Sequence, residues 1–372
     1  MLTYIAEWNR ENEERTWSGT TYSLLKALEN KVEVVRVDAN YDLLTKVYAK
    51  IMKTAHQMPF LRHEKLDIRS KTVLWENRRR MNQLKLIVDP KQPALQIGDF
   101  APFLHSIIYQ DLSFSVLEDY KISDPGTFKY SGFQNMPDLF LKEKLTNQER
   151  NYDSAEGIAC MSHWFAANLQ ATKGDKAFYA GAGINTPIDS ELLSPRKRHQ
   201  ILFVGRDFKR KGGGLVVEAF RVIKREFNDA TLILAGPVNL PKQVTDIEGV
   251  YAIGDVSSAQ IGELMRNSAI MALPSRFEAF GLSFVEALAN GLPIIGRDKF
   301  EMPFFVKQGS GSILQSSSDF STEVRELSLQ LKVLLTDNNY LNQANARKEF
   351  IRHYYSWDAV ADRILNKFKQ DI

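Results

Sequence analysis

The feature that most restricts the fold is a set of short runs that are apolar on both faces. Leu202-Phe203-Val204 and Leu232-Ile233-Leu234 do not alternate with polar residues, so a strand made of either must be covered on both sides. They belong to a series of five expected strands, Gln200–Gly205, Ala230–Gly236, Gly249–Gly254, Ser268–Pro274 and Pro293–Gly296. Helical periodicity fills the gaps at Leu215–Phe227, Ala259–Met265 and Leu282–Asn290. Strands that alternate with helices imply βαβ units, a parallel sheet and helices on both of its faces.

The first half repeats this rhythm less cleanly. Leu2–Trp8, Val32–Asp38, Pro93–Ile97, Ser106–Tyr109, Gly157–Met161 and Lys176–Ala180 read as strands, and Thr20–Glu29 as a helix. Residues 63–88 carry many charges, Arg78-Arg79-Arg80 among them. They read as a solvated helix face or as a surface for an anionic partner or lipid head groups. Residues 112–140 read as irregular, and Phe114, Phe128, Tyr130 and Phe133 there suit either the core or stacking on sugar rings. A chain of 372 residues is long enough for two domains. Residues 185–199, with Pro187, Pro195 and the basic Arg196-Lys197-Arg198-His199, read as the linker. Two α/β domains, 1–190 and 191–355, would then face each other across a cleft, and open parallel sheets bind ligands beyond the carboxyl ends of their strands.

Composition narrows the partners. Forty-eight basic and 45 acidic residues leave a net charge of +3, too small an excess for a chain organised around nucleic acid. The single Cys160 excludes an intrachain disulfide and any cysteine-based metal site, and favours a reducing compartment. The start Met1-Leu2-Thr3-Tyr4-Ile5-Ala6-Glu7 lacks the basic and apolar regions of a signal peptide. No run of 18 apolar residues occurs. The expectation is a cytoplasmic protein, with membrane contact only at the surface, through basic patches.

Two stretches carry chemistry. Val204-Gly205-Arg206-Asp207-Phe208-Lys209-Arg210-Lys211-Gly212-Gly213-Gly214 follows a strand and opens a helix. Its glycines let a ligand approach the backbone, the helix start favours an anion, and Arg206 and Lys211 add full charges. A diphosphate fits; so does a plain basic turn. The stretch is neither a Walker loop nor a G-x-G-x-x-G fingerprint. The second stretch is Leu273-Pro274-Ser275-Arg276-Phe277-Glu278-Ala279-Phe280-Gly281-Leu282-Ser283-Phe284-Val285-Glu286-Ala287-Leu288-Ala289-Asn290-Gly291-Leu292-Pro293. A helix starts near Gly281 and stops at Asn290-Gly291. The amides of Gly281, Leu282 and Ser283 are free to hold an anion. Glu286, one turn inside, can accept from two vicinal hydroxyls such as a ribose offers, while Glu278 meets another part of the same ligand. The competing reading is an acid favoured by the helix dipole and a solvated mid-helix glutamate.

Glu278 and Glu286 in this context resemble the signature of the retaining glycosyltransferases of family 4, the group 1 enzymes. The Arg206–Lys211 loop is similar to that family's diphosphate clamp, and Tyr355-Ser356-Trp357 with the helix Asp358–Phe368 looks like its C-terminal segment. The resemblance implies the GT-B architecture, two Rossmann-like domains with residues 356–372 crossing back to the first. It also implies a nucleotide-sugar donor on the second domain and an acceptor on the first. Carried over, Glu278 contacts the donor sugar, Glu286 the ribose, Arg206 and Lys211 the diphosphate, and Phe280, Gly281, Leu282 and Ser283 line the donor. Gly19, in Thr16-Trp17-Ser18-Gly19-Thr20, resembles the first-domain glycine loop over the phosphates; the alternative is a helix cap by Ser18 or Thr20. Where the family often has a His before an Asp, this chain has Gln110-Asp111. Gln110 bonds a hydroxyl but does not titrate, Asp111 is the candidate for orienting donor or acceptor, and His105 is more often structural than catalytic.

No two aspartates stand two positions apart, so no Asp-x-Asp metal motif exists and the diphosphate charge falls to Arg206, Lys211 and helix N-termini. The expectation is a metal-independent retaining hexosyltransferase of polysaccharide biosynthesis without a cofactor. It would use a UDP-sugar donor and a glycan, lipid-linked or protein acceptor. The rival readings are a catalytically silent subunit that binds sugar or nucleotide, and a nucleotide-sugar epimerase or a phosphorylase of the same architecture.

Overall fold

The computed structural model describes residues 1–55, 65–187 and 196–368. The expected domain junction at 190/191, the linker's Pro195 and the terminal residues 369–372 lie outside the described residues. The chain divides into two compact units: residues 1–125, 132–181 and 360–372, and residues 126–131 and 182–359.

The first unit is built on β1 (Leu2–Ala6), α1 (Thr20–Glu29), β2 (Val34–Asp38), α2 (Leu43–Ala55), α3 (Lys65–Ile87), β3 (Ala94–Ile97) and β4 (Ser106–Gln110). It continues through α4 (Phe114–Ser123), α5 (Pro125–Phe128), α6 (Asp138–Ser154), β5 (Gly157–Cys160), α7 (His163–Lys173) and β6 (Ala177–Tyr179). All six strands are parallel, in the order β2-β1-β3-β4-β5-β6. Strands β1, β3, β4 and β5 are buried along their whole length, as double-sided apolar runs require. The expected irregular segment 112–140 is instead largely helical. Ser113 caps α4 by accepting the Val116 amide, and α6 begins at Asp138. Its apolar residues Phe114, Val116, Leu117, Tyr120 and Ile122 fall all round the helix, which hides the period a one-sided stripe would show. The run Arg78-Arg79-Arg80 of α3 is not an open basic surface either. Arg80 pairs with Glu7 and lies over the rings of Tyr41 and Phe100, Arg79 pairs with Asp42 at 3.1 Å, and Arg78 stands 3.7 Å from Glu143.

The second unit contains β7 (Gln200–Val204), α8 (Gly213–Glu226), β8 (Thr231–Ala235), α9 (Lys242–Thr245), β9 (Val250–Gly254), α10 (Ser258–Asn267) and β10 (Ile270–Ala272). Then follow α11 (Leu282–Ala289), β11 (Ile294–Arg297), α12 (Met302–Gln308), β12 (Gly311–Leu314), α13 (Phe320–Thr336) and α14 (Asn338–Tyr354). Its sheet is also parallel and six-stranded, ordered β12-β11-β10-β7-β8-β9. The five expected strands are present, four of them trimmed at their ends and β11 shifted by one residue to Ile294–Arg297. The sixth, β12, went unread because Gly311-Ser312 starts it and three of its four positions are only half-buried. The last helix, α15 (Trp357–Lys367), begins in this unit, and from Val360 on it belongs to the first. There Asp362 pairs with Lys31 at 2.9 Å, Arg363 donates to the Ala180 carbonyl and Lys367 to that of Asp175.

Each sheet reverses its winding once. In the second unit the chain moves outward from β7 through β8 to β9, then returns to place β10 on the other side of β7. In the first unit the reversal lies between β1 and β3. The loops leaving neighbouring strands at such a point diverge and leave a crevice at the carboxyl edge.

Candidate active site

The two stretches singled out in the sequence leave adjacent strands, β7 and β10, at the reversal of the second sheet. Close backbone approach fixes the first loop. Gly212 sits at φ +79°, and a Cβ there would lie 2.6 Å from the Pro274 carbonyl oxygen of the second. The second loop ends at Gly281, which caps α11 in a left-handed conformation at φ +105°. A side chain there is strained by the dihedral and would strike the Phe284 ring at 2.7 Å. Leu282 and Ser283 open the helix, where amides lack intrahelical acceptors.

Lys211 and Glu278, both buried, meet directly. Lys211 Nζ donates to Glu278 Oε2 at 2.7 Å. The same oxygen accepts from Ser275 Oγ at 3.1 Å, and the Arg210 guanidinium lies 3.7 Å away. Glu278 Oε1 has no hydrogen-bond partner among the described residues. Burial alone would raise the Glu278 carboxyl. The charges of Lys211 and Arg210 and the two hydrogen bonds outweigh it and hold the group below its ordinary value. Arg210 is itself anchored, donating to the Phe277 carbonyl at 2.8 Å. Arg206 is different: its side chain is 74% exposed and makes a bidentate pair with Asp255, just beyond β9.

Glu286 is not a solvated mid-helix acid. It is buried, and its Oε1 accepts the Asn185 amide at 3.3 Å. Burial pushes its carboxyl up to about 7, opposed by the backbone bonds from Asn185 and Thr186 and by the charge of Lys211. The Tyr355-Ser356-Trp357 motif explains how Asn185 is held. The Ile184 amide donates to the Tyr355 carbonyl, and Trp357 Nε1 donates to Asn185 Oδ1 at 2.8 Å. The indole lies so close over Gly183 that a Cβ there would be 2.4 Å from the ring. Phe280 turns its ring into the core, against Phe305 and Tyr355, so only its backbone is left to meet a ligand.

In the first unit, Gly19 follows β1 at φ +91°, and Trp17 and Ser18 before it are also left-handed, at φ +46° and +57°. Gly19 itself, rather than Ser18 or Thr20, stands at the N-cap of α1. Two such non-glycine residues in succession store strain of about 1–3 kcal/mol each, and the Trp17 ring leans edge-on against Tyr109. Gln110 ends β4, buried, and its amide donates to the Leu112 carbonyl and to Tyr152 Oη; Asp111 follows it at the carboxyl edge. His105 precedes β4 and pairs with Glu156 at 2.7 Å. It is thus at the amino end of the strand whose carboxyl end carries Gln110, and does not replace the family histidine there. Phe114 and Phe133 pack edge to face, Phe128 is buried, and Tyr130 lies under the Arg276 guanidinium.

The sequence reading missed Arg210, Ser275, Asp255 and Asn185. The first two stood inside quoted motifs but had no spacing rule of their own. Asp255 and Asn185 reach their partners only through the sheet and through Trp357. Among the described residues no group of three or more His, Cys, Asp or Glu is placed to hold a metal ion.

Residues 185–353 match the family model of the glycosyl transferases group 1. Among curated relatives, a phosphatidyl-myo-inositol mannosyltransferase of Mycobacterium leprae is 27% identical over 183 residues, 47% of each chain. A D-inositol 3-phosphate glycosyltransferase of Gordonia bronchialis is 25% identical over 186 residues, 46% of this chain and 40% of that one. The chain thus spans about half the length of the curated relatives it matches. In fold it is similar over its whole length to WaaG, a glycosyltransferase involved in lipopolysaccharide biosynthesis (TM-score 0.63, 13% identity, 98% of this chain and 99% of that one). It is likewise similar to sucrose-phosphate synthase of Thermosynechococcus elongatus (TM-score 0.61, 14% identity, 99% and 98%). These structures share the GT-B arrangement of two parallel-sheet domains.

Proposed function

We propose that the chain, whose residues 185–353 match the family model of the glycosyl transferases group 1, is a retaining, metal-independent hexosyltransferase. It moves a sugar from a nucleoside diphosphate sugar, a UDP-sugar by preference, to a hydroxyl of a glycan, lipid-linked or protein acceptor. The observation that carries this reading is the buried Lys211–Glu278 pair at the reversal of the second sheet, beside the helix start at Gly281. An anion held by the α11 N-terminus draws on Lys211 and Arg206. The Glu278 oxygen left open, Oε1, accepts from the sugar. Glu286 accepts from the ribose hydroxyls.

In the transfer the bond between the anomeric carbon and the diphosphate oxygen breaks, and its electron pair leaves with the diphosphate. Lys211, Arg206 and the α11 amides stabilise the growing charge. The acceptor hydroxyl attacks from the face the diphosphate leaves, and its proton passes to a departing phosphate oxygen. No protein base is needed, which suits a chain with Gln110 in place of the family histidine. On the family resemblance, Gly19 is the first-unit residue assigned to the phosphates, and Asp111 orients donor or acceptor.

Screening a nucleotide-sugar panel for thermal stabilisation, then following donor hydrolysis and transfer, tests the proposal. A chain that binds the nucleotide but never hydrolyses its sugar is instead a silent binding subunit. The observation favouring that second reading is the lock on Gln110 by Leu112 and Tyr152.

Arg206→Ala is expected to lower turnover by about 10²–10³, the scale for one lost transition-state charge partner. Stability should change by less than about 0.5 kcal/mol, because an exposed pair such as Arg206–Asp255 contributes little. Kinetics and a urea melt check both halves, and unchanged turnover removes Arg206 from the clamp. Activity is also expected to persist in excess EDTA, since the sequence has no Asp-x-Asp and charges the diphosphate through side chains. Complete loss restored by Mn²⁺ or Mg²⁺ would overturn that account.

A further inference from the structure

Glu323 is a buried carboxylate that the transfer reaction does not use. It stands in the first turn of α13, is 1% exposed, and meets two guanidiniums. Its Oε2 accepts from Arg297 Nη2 at 3.3 Å and from Arg276 Nη2 at 3.2 Å. Its Oε1 accepts from Arg297 Nη1 and from the Ser317 amide at 3.2 Å. Arg297 closes β11 and is itself buried, and its Nε donates to the Pro274 carbonyl at 3.4 Å. Arg276 belongs to the same loop as Pro274, and the other face of its guanidinium lies on the Tyr130 ring at 5.4 Å.

A buried ion group of this kind adds little stability that apolar side chains of the same volume would not. What it supplies is geometry. Through Arg297 the carboxylate holds Pro274, and through Arg276 it holds the far side of Ser275. Ser275 is wholly buried, and its Oγ donates to Glu278 Oε2 at 3.1 Å. The same short stretch carries the first loop of the site. The Arg276 amide donates to the Arg210 carbonyl at 2.8 Å, and Gly212 packs against the Pro274 carbonyl. We propose that Glu323 is a positioning residue for the transfer. It pins residues 274–276 from α13, and through Ser275 it sets where Glu278 Oε1 stands against the sugar. The proposal rests on the transferase reading of that oxygen. A group that meets a reacting sugar must be placed to within about 0.5 Å, and one carboxylate gripping both sides of Ser275 gives the loop that precision.

Exchanging the ion group for apolar side chains in the full chain tests this. Arg297→Met/Glu323→Leu is expected to melt no lower than wild type. Its turnover should fall about 10²-fold, the scale of a small misplacement at the reacting centre, with nucleoside diphosphate affinity unchanged. Hydrogen exchange, which reads the loop whatever the chain catalyses, should quicken at the Ser275 and Arg276 amides and not in β11 or α13. Arg276→Gln cuts one of the two pins at a side chain already 24% exposed. It should quicken the same amides and lower turnover by a smaller factor, and it decides the matter on the same readings if the double variant fails to fold. Native exchange at Ser275 and Arg276 overturns the proposal, and so does quickened exchange with wild-type turnover. Loss of stability and turnover together in Glu323→Gln, with both restored in the double variant, overturns it too and leaves the ion group a structural one. A wild-type chain that transfers no sugar overturns the transferase reading instead, and the exchange result alone then decides whether Glu323 pins the loop.

Discussion

Lys211→Ala is expected to lower turnover by about 10²–10³ and, unlike Arg206→Ala, to destabilise the fold. Lys211 is buried and its ammonium is the nearest cation to an equally buried Glu278. Removing one member of a buried pair leaves an uncompensated charge, which costs about 3–5 kcal/mol. Arg210 at 3.7 Å and Ser275 at 3.1 Å remain, so the loss should fall at the low end of that range. Lys211→Met/Glu278→Gln removes the stranded charge with its partner. It is therefore expected to regain most of the stability and none of the turnover. Urea melts and steady-state kinetics on the two variants separate the parts. Wild-type turnover in Lys211→Ala would sink the clamp, and equal instability in single and double variants would show that packing, not charge, is what Lys211 supplies.

Glu286→Gln is expected to change both pH dependence and nucleotide affinity. The native carboxyl titrates at about 7, against 4.5 for a free glutamate. Between those values the folded state holds a proton that the unfolded chain has released. Stability from this group is therefore full below about pH 4.5, declines as pH rises, and is gone above about 7, a total of roughly 3 kcal/mol. Glutamine, always neutral, should abolish that decline, and melts of the two proteins across neutral pH read it directly. A bound ribose favours the ionised form, so wild-type chain should release a proton on binding nucleoside diphosphate near pH 7, which calorimetry in two buffers detects. The glutamine variant should release none and bind about five- to 150-fold more weakly, the equivalent of one hydrogen bond worth 1–3 kcal/mol. Glu278→Gln should do the opposite. It frees Lys211, so diphosphate affinity stays level or rises while turnover falls, because its contacts tighten on the sugar as the bond breaks. Equal losses of diphosphate affinity in both variants would refute the division of labour between the glutamates, though not the family.

The sequence alone showed two parallel sheets and all of their strands but β12. Uninterrupted apolar runs such as Leu202-Phe203-Val204 admit only strands covered on both faces, and the helical stretches between them admit only parallel crossovers. It also showed both loops and their acids, because glycines, charges and a helix start within a few residues are local facts. Where periodicity was weak the reading failed. The apolar residues of helix α4 are scattered round it among polar ones, and β12 begins Gly-Ser at an edge, so neither carries the repeat by which an element announces itself. Tertiary structure alone decided how charges pair and what they face. The sequence leaves open whether Glu286 is a ligand-facing acid or a solvated one; its burial beneath the 183–185 segment, held by Trp357, is decided by the fold. Lys211 and Glu278 are separated by 67 residues and meet only because β7 and β10 are neighbours. Arg78-Arg79-Arg80 reads as a basic patch until Glu143, Asp42 and Glu7 arrive from elsewhere in the fold. The physical reason is common to all three. Secondary structure follows from neighbours along the chain, whereas burial and electrostatics are set by groups that only the folded sheet brings within a few ångströms.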